Sequence, residues 1–588
     1  MKLNLTRRRL GAGLAAVSLA AAAVAGTGVT LSANGADPAS FSGIVLGVGA
    51  NETSRTVGWY STTNPSGGEA IELATKADFS NKVVVPATVA PNITKDDASG
   101  QTLTSFNGKA TLTRLKANTT YYYRVAQKGT TVHSSGYSFK TGAFGNGNFQ
   151  FLFFGDPQIG SSGDAVADGQ GWKFAMDQTK IQSPKAELYV SGGDQVNTAN
   201  NETEWNNFLL PDELRSIPWA ATIGNHDNGG IAYDQHFALP DTKRNDANLY
   251  SSNSNAVTPT SKPGGDYWFA YKGVLFIDLN SNAYSAANNS DPAHVQFVTD
   301  TINQHKGDAK HVVLVYHHSI YSPADHANDG DNQQRRLDFT KAFSDLGVDL
   351  VLQGHDHSYS RSYALKGTAL GQDAVKADPN EKPGQPTVVE GPGGVVYVTA
   401  NSASGSKYYD LTEPDELEGG YGPDGKVGGQ ETEGHTRHWA NSVENQEHVQ
   451  TYVEVTVNGK GLQVKNIRAN DGTGPNPAVD RGNVDGIGPD LAGNPLPIGS
   501  IQDQFGLFRA RGDVSPIWPP ADVVTNTHTI TKTVTKTVTK EVVPAKLKSQ
   551  VAHKISVLKK QIKHAKGARK TKLKAQLAAY QSVQKSLR

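Results

Sequence analysis

Five short segments carry the side chains that could do chemistry. They are Gly155-Asp156-Pro157-Gln158, Gly193-Asp194-Gln195-Val196-Asn197, Gly224-Asn225-His226-Asp227, His317-His318 and Gly354-His355-Asp356-His357. Their carboxylates, amides and imidazoles suit hard or borderline divalent and trivalent metals. The chain has no cysteine, which excludes thiolate metal sites, disulfides and a thiol nucleophile. The chemistry such a set fits is attack on a phosphate ester, an anion that repels nucleophiles. Two metals about 3.5–4 Å apart can clamp its oxygens and lower the pKa of a bridging water. In such a centre Asp194 can bridge both ions. Asp156 and His357 can complete the first, and Asn225, His317 and His355 the second. The spacing in His355-Asp356-His357 puts both imidazoles on one side of an extended segment. His226 need not bind metal. It can reach the substrate as a cation on the phosphoryl group or as a proton donor to the leaving alkoxide. Asp227 is placed to hold its ring.

Each segment follows an apolar run. Strand candidates are 149–154, 187–191, 219–223, 267–279, 311–316, 348–352 and 394–399. Helix candidates are 172–182, 204–215, 293–305 and 335–346. Alternating strands and helices argue for a layered α/β domain. Such sheets present their ligand sites just past the strand ends, where the five segments fall. Ahead of this, residues 40–142 read as a small all-β domain. The runs are Ile44-Val45-Leu46, Thr56-Val57-Gly58-Trp59-Tyr60, Lys82-Val83-Val84-Val85 and Tyr121-Tyr122-Tyr123-Arg124-Val125. Tyr121, Tyr123 and Val125 share one face of their strand. Leu115, its four-residue spacer and the Tyr run resemble the E–F corner of a fibronectin type III-like sandwich, with Trp59 as the core tryptophan.

The five segments, in this order, resemble the calcineurin-like metallophosphoesterase superfamily over roughly residues 148–470. With the preceding sandwich, the chain resembles the purple acid phosphatase group. The resemblance implies a four-layer αββα sandwich and a dinuclear centre of Fe, Zn or Mn. It implies hydrolysis of phosphate monoesters by attack of a metal-bridging hydroxide. A phosphodiesterase or nucleotidase with the same metal site is the alternative, and so is a surface-binding protein with reduced catalysis. His326, nine residues after His317, matches a substrate histidine of that group. His318 is the neighbouring alternative to His317, and the register against Ser319-Ile320-Tyr321 favours His317. Two positions depart from the pattern. The group carries a Tyr ligand three residues after the bridging Asp, where this chain has Asn197, so no Tyr-to-iron colour is expected. Many relatives have Asp-x-His in the first motif. Here Gln158 can contribute only a neutral amide oxygen, directly or through water.

The 588 residues are 37% hydrophobic and 19% charged, ordinary for a globular protein, with formal net charge +0. Global charge therefore selects no partner, and nothing points to specific nucleic-acid binding. Residues 1–36 read as an export signal. Lys2 and Arg7-Arg8-Arg9 precede an apolar run from Leu10 to Ala25, and Ala23-Val24-Ala25 fits a cleavage site. Thr6-Arg7-Arg8-Arg9-Leu10 resembles a twin-arginine signal, whose substrates cross the membrane folded. A secreted or cell-surface location follows. Residues 403–440 and 469–520 read as loops, with 471–524 as a Gly/Pro-rich extension, then 525–544 as a Thr/Val/Lys linker. Residues 545–588 hold 13 Lys/Arg and no Asp or Glu. Their apolar residues recur at helical spacing, so the segment reads as a basic amphipathic helical tail suited to an anionic cell-envelope polymer or membrane surface.

Overall fold

In the computed structural model the described residues are 41–62, 68–145, 148–240, 264–283, 290–305, 309–369, 372–390, 394–411, 438–459, 461–480 and 496–509, with five isolated positions near the C-terminus. Those five (Ser556, Lys559, Lys563, Lys574 and Leu577) are helical. The expected export signal, the Thr/Val/Lys linker and most of the basic tail lie outside the described residues. Among the described residues no helix is long and apolar enough to cross a membrane.

The strongest sequence signal, a run of five Phe and Leu side chains with one Gln, forms the strand Phe149–Phe154. Its alternating side chains are apolar on both faces, as a strand covered on both sides requires. Phe149, Phe151 and Phe153 point into a core shared with a second sheet. Phe151 meets Phe276 of that sheet edge-to-face, ring centroids 5.1 Å apart. Leu152 and Phe154 point the other way, under Trp172, Met176, Trp205 and Phe208 of the helices Ala165–Gln182 and Glu202–Phe208. The second sheet is covered on its far side by Ser290–His305 and Gly330–Leu346. The order of layers is therefore helix, sheet, sheet, helix: the four-layer αββα arrangement.

In the first sheet Phe149–Phe154, Ala186–Ser191 and Trp219–Ala220 run parallel. In the second, Val274–Leu279, His311–Tyr316, Leu350–Gln353 and Val396–Thr399 do the same. The run 267–279 is not one strand. It is a hairpin of Tyr267–Tyr271 and Val274–Leu279, turning at Lys272 (φ 46°) and Gly273 (φ 84°). Two consecutive positive φ values match the twist of a two-residue hairpin loop, and glycine makes the second free of strain.

The N-terminal sandwich packs Trp59, Ile71, Tyr123, Val125 and Phe139 between two sheets. Trp59 Nε1 donates to Glu69 Oε2 at 2.6 Å. The Lys116 N–H donates to the Tyr121 hydroxyl at 2.7 Å, which fixes the corner after Leu115. The sandwich is also joined to the α/β region. The strand Phe41–Val48 pairs in parallel with Trp219–Ala220 at Gly47 and Trp219, so one eleven-stranded sheet runs through both regions. The Tyr60 ring also stacks on His236 at 4.2 Å, and Tyr123 donates its hydroxyl proton to the Arg215 carbonyl at 2.8 Å.

A second correction concerns the Gly/Pro-rich extension at 471–524. Within it Ile501–Arg509 is a strand of the first sheet, between Gly461–Arg468 and Thr387–Glu390. Asp503 on that strand accepts from Arg361 Nε (2.7 Å), Arg361 Nη2 (3.0 Å) and the Tyr359 hydroxyl (2.8 Å) of the second sheet. This buried clamp ties the late strand to the residues just after the His355-Asp356-His357 motif. The α/β region thus extends at least to Arg509, past the boundary expected at 470.

Candidate metal centre

The five motifs leave the C-terminal ends of five parallel strands and converge. Their backbone is unusual. Four of the nine non-glycine residues with positive φ among the described residues are Gln158 (34°), Asp194 (45°), His355 (76°) and His357 (44°). Such conformations are costly and gather where side chains must be aimed. The glycines make room for this aiming. A Cβ at Gly224 would collide with the Asp194 carboxylate, and one at Gly193 with the His317 ring.

One half of the site is tight. His317 Nε2 lies 2.8 Å from Asn225 Oδ1, 3.1 Å from His355 Nδ1 and 3.4 Å from Asp194 Oδ2. Four ligand atoms therefore face a common point. His317 Nδ1 donates to the Gly192 carbonyl at 2.8 Å, which leaves Nε2 as the nitrogen that faces the site. His318 is turned elsewhere: its Nδ1 meets Ser281 Oγ at 2.8 Å. The register reading that favours His317 agrees with this geometry.

The other half is looser. Asp156 is fully buried, with Oδ1 3.5 Å from His317 Nδ1 and Oδ2 3.5 Å from His357 Nε2. Neither Asp156 oxygen receives a hydrogen bond. His357 Nδ1 donates to the Lys407 carbonyl at 2.9 Å, so its Nε2 also faces inward. Gln158 Nε2 donates to Asn197 Oδ1 at 3.2 Å, and Gln158 Oε1 is buried without a partner.

The charges follow from burial and neighbours. Burial lowers the His317 pKa, but Asp194 and Asp156 outweigh it and carry the imidazole up to about 9. Burial would raise Asp194, yet His317 and His226 hold it well below the usual carboxylate range. Burial pushes Asp156 well up, His317 opposes this, and Asp194 adds to it. Burial lowers His355 strongly and takes His357 to about 3, so both are neutral imidazoles with a lone pair to give. A buried carboxylate without donors, beside the Asn225 oxygen, the neutral His355 and a His317 whose proton a cation would replace, is a set of groups that cations satisfy. The residues fit a dinuclear centre. Asp156, Asp194 and His317 also bring one ligand atom each within 4.8 Å of one another.

The residues around the ligands differ in part from expectation. His226 Nδ1 donates to the Asn197 carbonyl at 2.8 Å, and its N–H donates to Asp194 Oδ1 at 2.9 Å. Asp227 does not hold the His226 ring. Its carboxylate is fully engaged by the backbone N–H groups of Gln195 (3.0 Å), Val196 (3.3 Å) and Gly224 (2.9 Å), which locks two motif loops together. His326 stacks on His355 at 3.8 Å, and its Nδ1 meets Asp329 Oδ2 at 2.8 Å. Sequence reading gave Asp356 no task. It accepts from the backbone of Ala324 (2.8 Å) and His326 (3.1 Å), and so shapes the loop that brings His326 over the site. Lys407 and Tyr409, inside a Gly/Ser-rich stretch read as loop, border the site as well. Their only signal is a Lys-Tyr-Tyr run among small residues.

Fold and site together resemble those of the metallophosphoesterases, an architecture that implies a dinuclear metal centre. Residues 149–359 match the family described as Calcineurin-like phosphoesterase, and residues 42–141 match Purple acid Phosphatase, N-terminal domain. The chain thus carries a calcineurin-like phosphoesterase domain behind a purple acid phosphatase N-terminal domain. An uncharacterized protein of Mycobacterium tuberculosis is 29% identical over 362 residues, 58% of this chain and 65% of the relative. Purple acid phosphatase 1 of Ipomoea batatas is 23% identical over 331 residues, 53% of this chain and 62% of the relative. The aligned part thus spans just under two thirds of these relatives' own length. The structure of purple acid phosphatase PPD1 from yellow lupin (Lupinus luteus) seeds shares the fold. Its TM-score is 0.57 at 15% identity, over 83% of this chain and 78% of that one.

Proposed function

We propose that the chain is an exported phosphohydrolase acting on phosphate monoesters. The observation that carries this reading is the convergence of Asn225, His317, His355 and Asp194 beside the unpartnered Asp156 carboxylate. Asn225, His317 and His355 would hold one cation, Asp156 and His357 the other with Gln158 Oε1 beside them, and Asp194 would join the two. Cations bound there supply positive charge against the phosphate and lower the pKa of water in the cleft. His226 is fixed through Nδ1 and presents Nε2 to the substrate, where it donates a proton to the leaving alkoxide. His326, held by Asp329 and by stacking on His355, adds a second donor to the phosphoryl oxygens. Export rests on the Arg7-Arg8-Arg9 segment and the apolar run after it. Retention at an anionic envelope surface rests on the one-sided charge of 545–588.

The test compares p-nitrophenyl phosphate with its bis ester, using protein whose metal content has been measured. Turnover of the monoester with about two metals per chain is expected. Preference for the bis ester would replace the monoesterase reading with a phosphodiesterase. Deleting residues 525–588 should release the protein from cells, and unchanged retention would reject the anchoring role.

A further inference from the structure

The amide that joins Asn197 to Thr198 is held at both ends. The Asn197 carbonyl accepts from His226 Nδ1 at 2.8 Å, the contact that assigns Nε2 to the substrate side. The Thr198 N–H donates to Glu204 Oε2 at 2.6 Å. The peptide bond is trans, so its C=O and N–H point in opposite directions. His226 and Glu204 therefore grip one rigid plane from opposite sides. Two hydrogen bonds on one amide also polarise each other, which strengthens the acceptor offered to the imidazole.

Glu204 is firmly built in. It is buried, and it lies in the helix Glu202–Phe208, whose Trp205 and Phe208 sit in the core under the first sheet. Its Oε1 accepts from Asn201 Nδ2 at 2.8 Å. The Asn201 side chain in turn caps the helix through the N–H groups of Thr203 (3.0 Å) and Glu204 (3.3 Å). Space for the carboxyl comes from Gly160 (φ 104°), where a Cβ would stand 2.5 Å from Glu204 Cδ. Burial raises the Glu204 pKa to about 7, and both of its protonation states keep an oxygen for the Thr198 N–H. Its hydrogen bonds go to the loop and not to any candidate metal ligand.

Resting on the phosphohydrolase reading, we propose that Glu204 is a positioning residue for His226. Acting through the Asn197–Thr198 amide, it holds the imidazole in its Nδ1–H form with Nε2 aimed at the leaving group. In the reaction a water oxygen forms the new bond to phosphorus. The ester bond gives its electron pair to the leaving oxygen, and that oxygen takes the Nε2 proton. An alkoxide is a strong base and needs this proton, whereas p-nitrophenolate is a weak base and leaves with little help. Loss of the Glu204 contact therefore discriminates between leaving groups.

The test compares ethyl phosphate with p-nitrophenyl phosphate on the wild type, Glu204→Leu and Glu204→Gln, with metal content checked in each. Glu204→Leu keeps the bulk and removes the acceptor. It should lower kcat for ethyl phosphate roughly tenfold more than for p-nitrophenyl phosphate, with KM little changed. Glu204→Met takes its place if the branched side chain prevents folding. Glu204→Gln, whose amide oxygen still accepts from the Thr198 N–H, should restore most of the difference. In a His226→Ala background Glu204→Leu should add nothing to the discrimination. Equal losses on both esters, or none, would overturn the positioning role. Histidine-selective nitrogen NMR separates this inference from the reading it rests on, because it needs no turnover. The His226 Nδ1 proton should exchange with water faster in Glu204→Leu than in the wild type. That result in a chain that hydrolyses nothing would keep the positioning role and sink the phosphohydrolase. Unchanged exchange would sink the role, whatever the activity.

Discussion

The two halves of the metal centre are built differently. Around His317 the ligand atoms already stand 2.8–3.4 Å apart, and the ring is pinned by a backbone carbonyl. Around Asp156 the nearest imidazole nitrogens are 3.5 Å away, the carboxylate has no donor, and Gln158 leans on Asn197. The first half is organised by the protein. The second is held by fewer contacts. Preorganised ligands lose less freedom on binding, so the His317 side should hold its metal more tightly.

The sharpest way to break this comparison is to remove one ligand from each half. His317→Ala should abolish turnover, on the order of a thousandfold or more, and empty the tight site. Asp156→Asn should empty the other site first, and dialysis against a chelator should strip the wild type in the same order. Simultaneous loss of both metals from the wild type would contradict the asymmetry. Next in size, His226→Ala should lower kcat by roughly a hundredfold to ten-thousandfold with both metals retained. Metal loss in that variant would show His226 to be a ligand.

Asn197→Tyr sharpens the comparison from the weaker side. It places a phenol where the purple acid phosphatases carry one. With ferric iron loaded it should add a visible charge-transfer band, while the wild type stays colourless. A coloured wild type would contradict the role given to Asn197.

The smallest effect concerns the loop beneath Asn197. Burial pushes Glu204 up to about 7, against hydrogen bonds from the Thr198 N–H (2.6 Å) and Asn201 Nδ2 (2.8 Å). The folded state therefore keeps a proton that the unfolded chain releases near its ordinary 4.5. This contribution to stability is full below pH 4.5 and is lost as the pH rises through about 7. Glu204→Gln should flatten the fall in Tm between about pH 5 and 8, worth on the order of 2 kcal/mol. An unchanged slope would assign the pH dependence to other groups.

What could be read from sequence follows from where the information lies. The residues that converge on the site were legible because each closes a short motif at the end of an apolar strand. Trp59 and the Tyr121 face were legible because a half-buried strand alternates with period two. The strand Ile501–Arg509 was hidden by the Gly- and Pro-rich stretches around it. The joining of the sandwich sheet to the α/β sheet was hidden because a single pairing of Gly47 with Trp219 leaves no local pattern. Asp227 misled for a related reason. A carboxylate next to a histidine in sequence suggests a pair, but the 3₁₀ turn Asp227–Gly229 directs it to backbone N–H groups of another loop. Lys407 and Tyr409 reach the centre only through tertiary folding.

The central claim is that these ligands hold two metals in unequal sites. Metal content per chain, measured by mass spectrometry on wild type, Asp156→Asn and His317→Ala after limited chelation, tests it most directly. The account predicts about two metals in the untreated wild type. It predicts retention of one by Asp156→Asn under chelation that strips the first site, and loss of that one in His317→Ala. A wild type that binds no metal, or variants that lose metals in the reverse order, would contradict it.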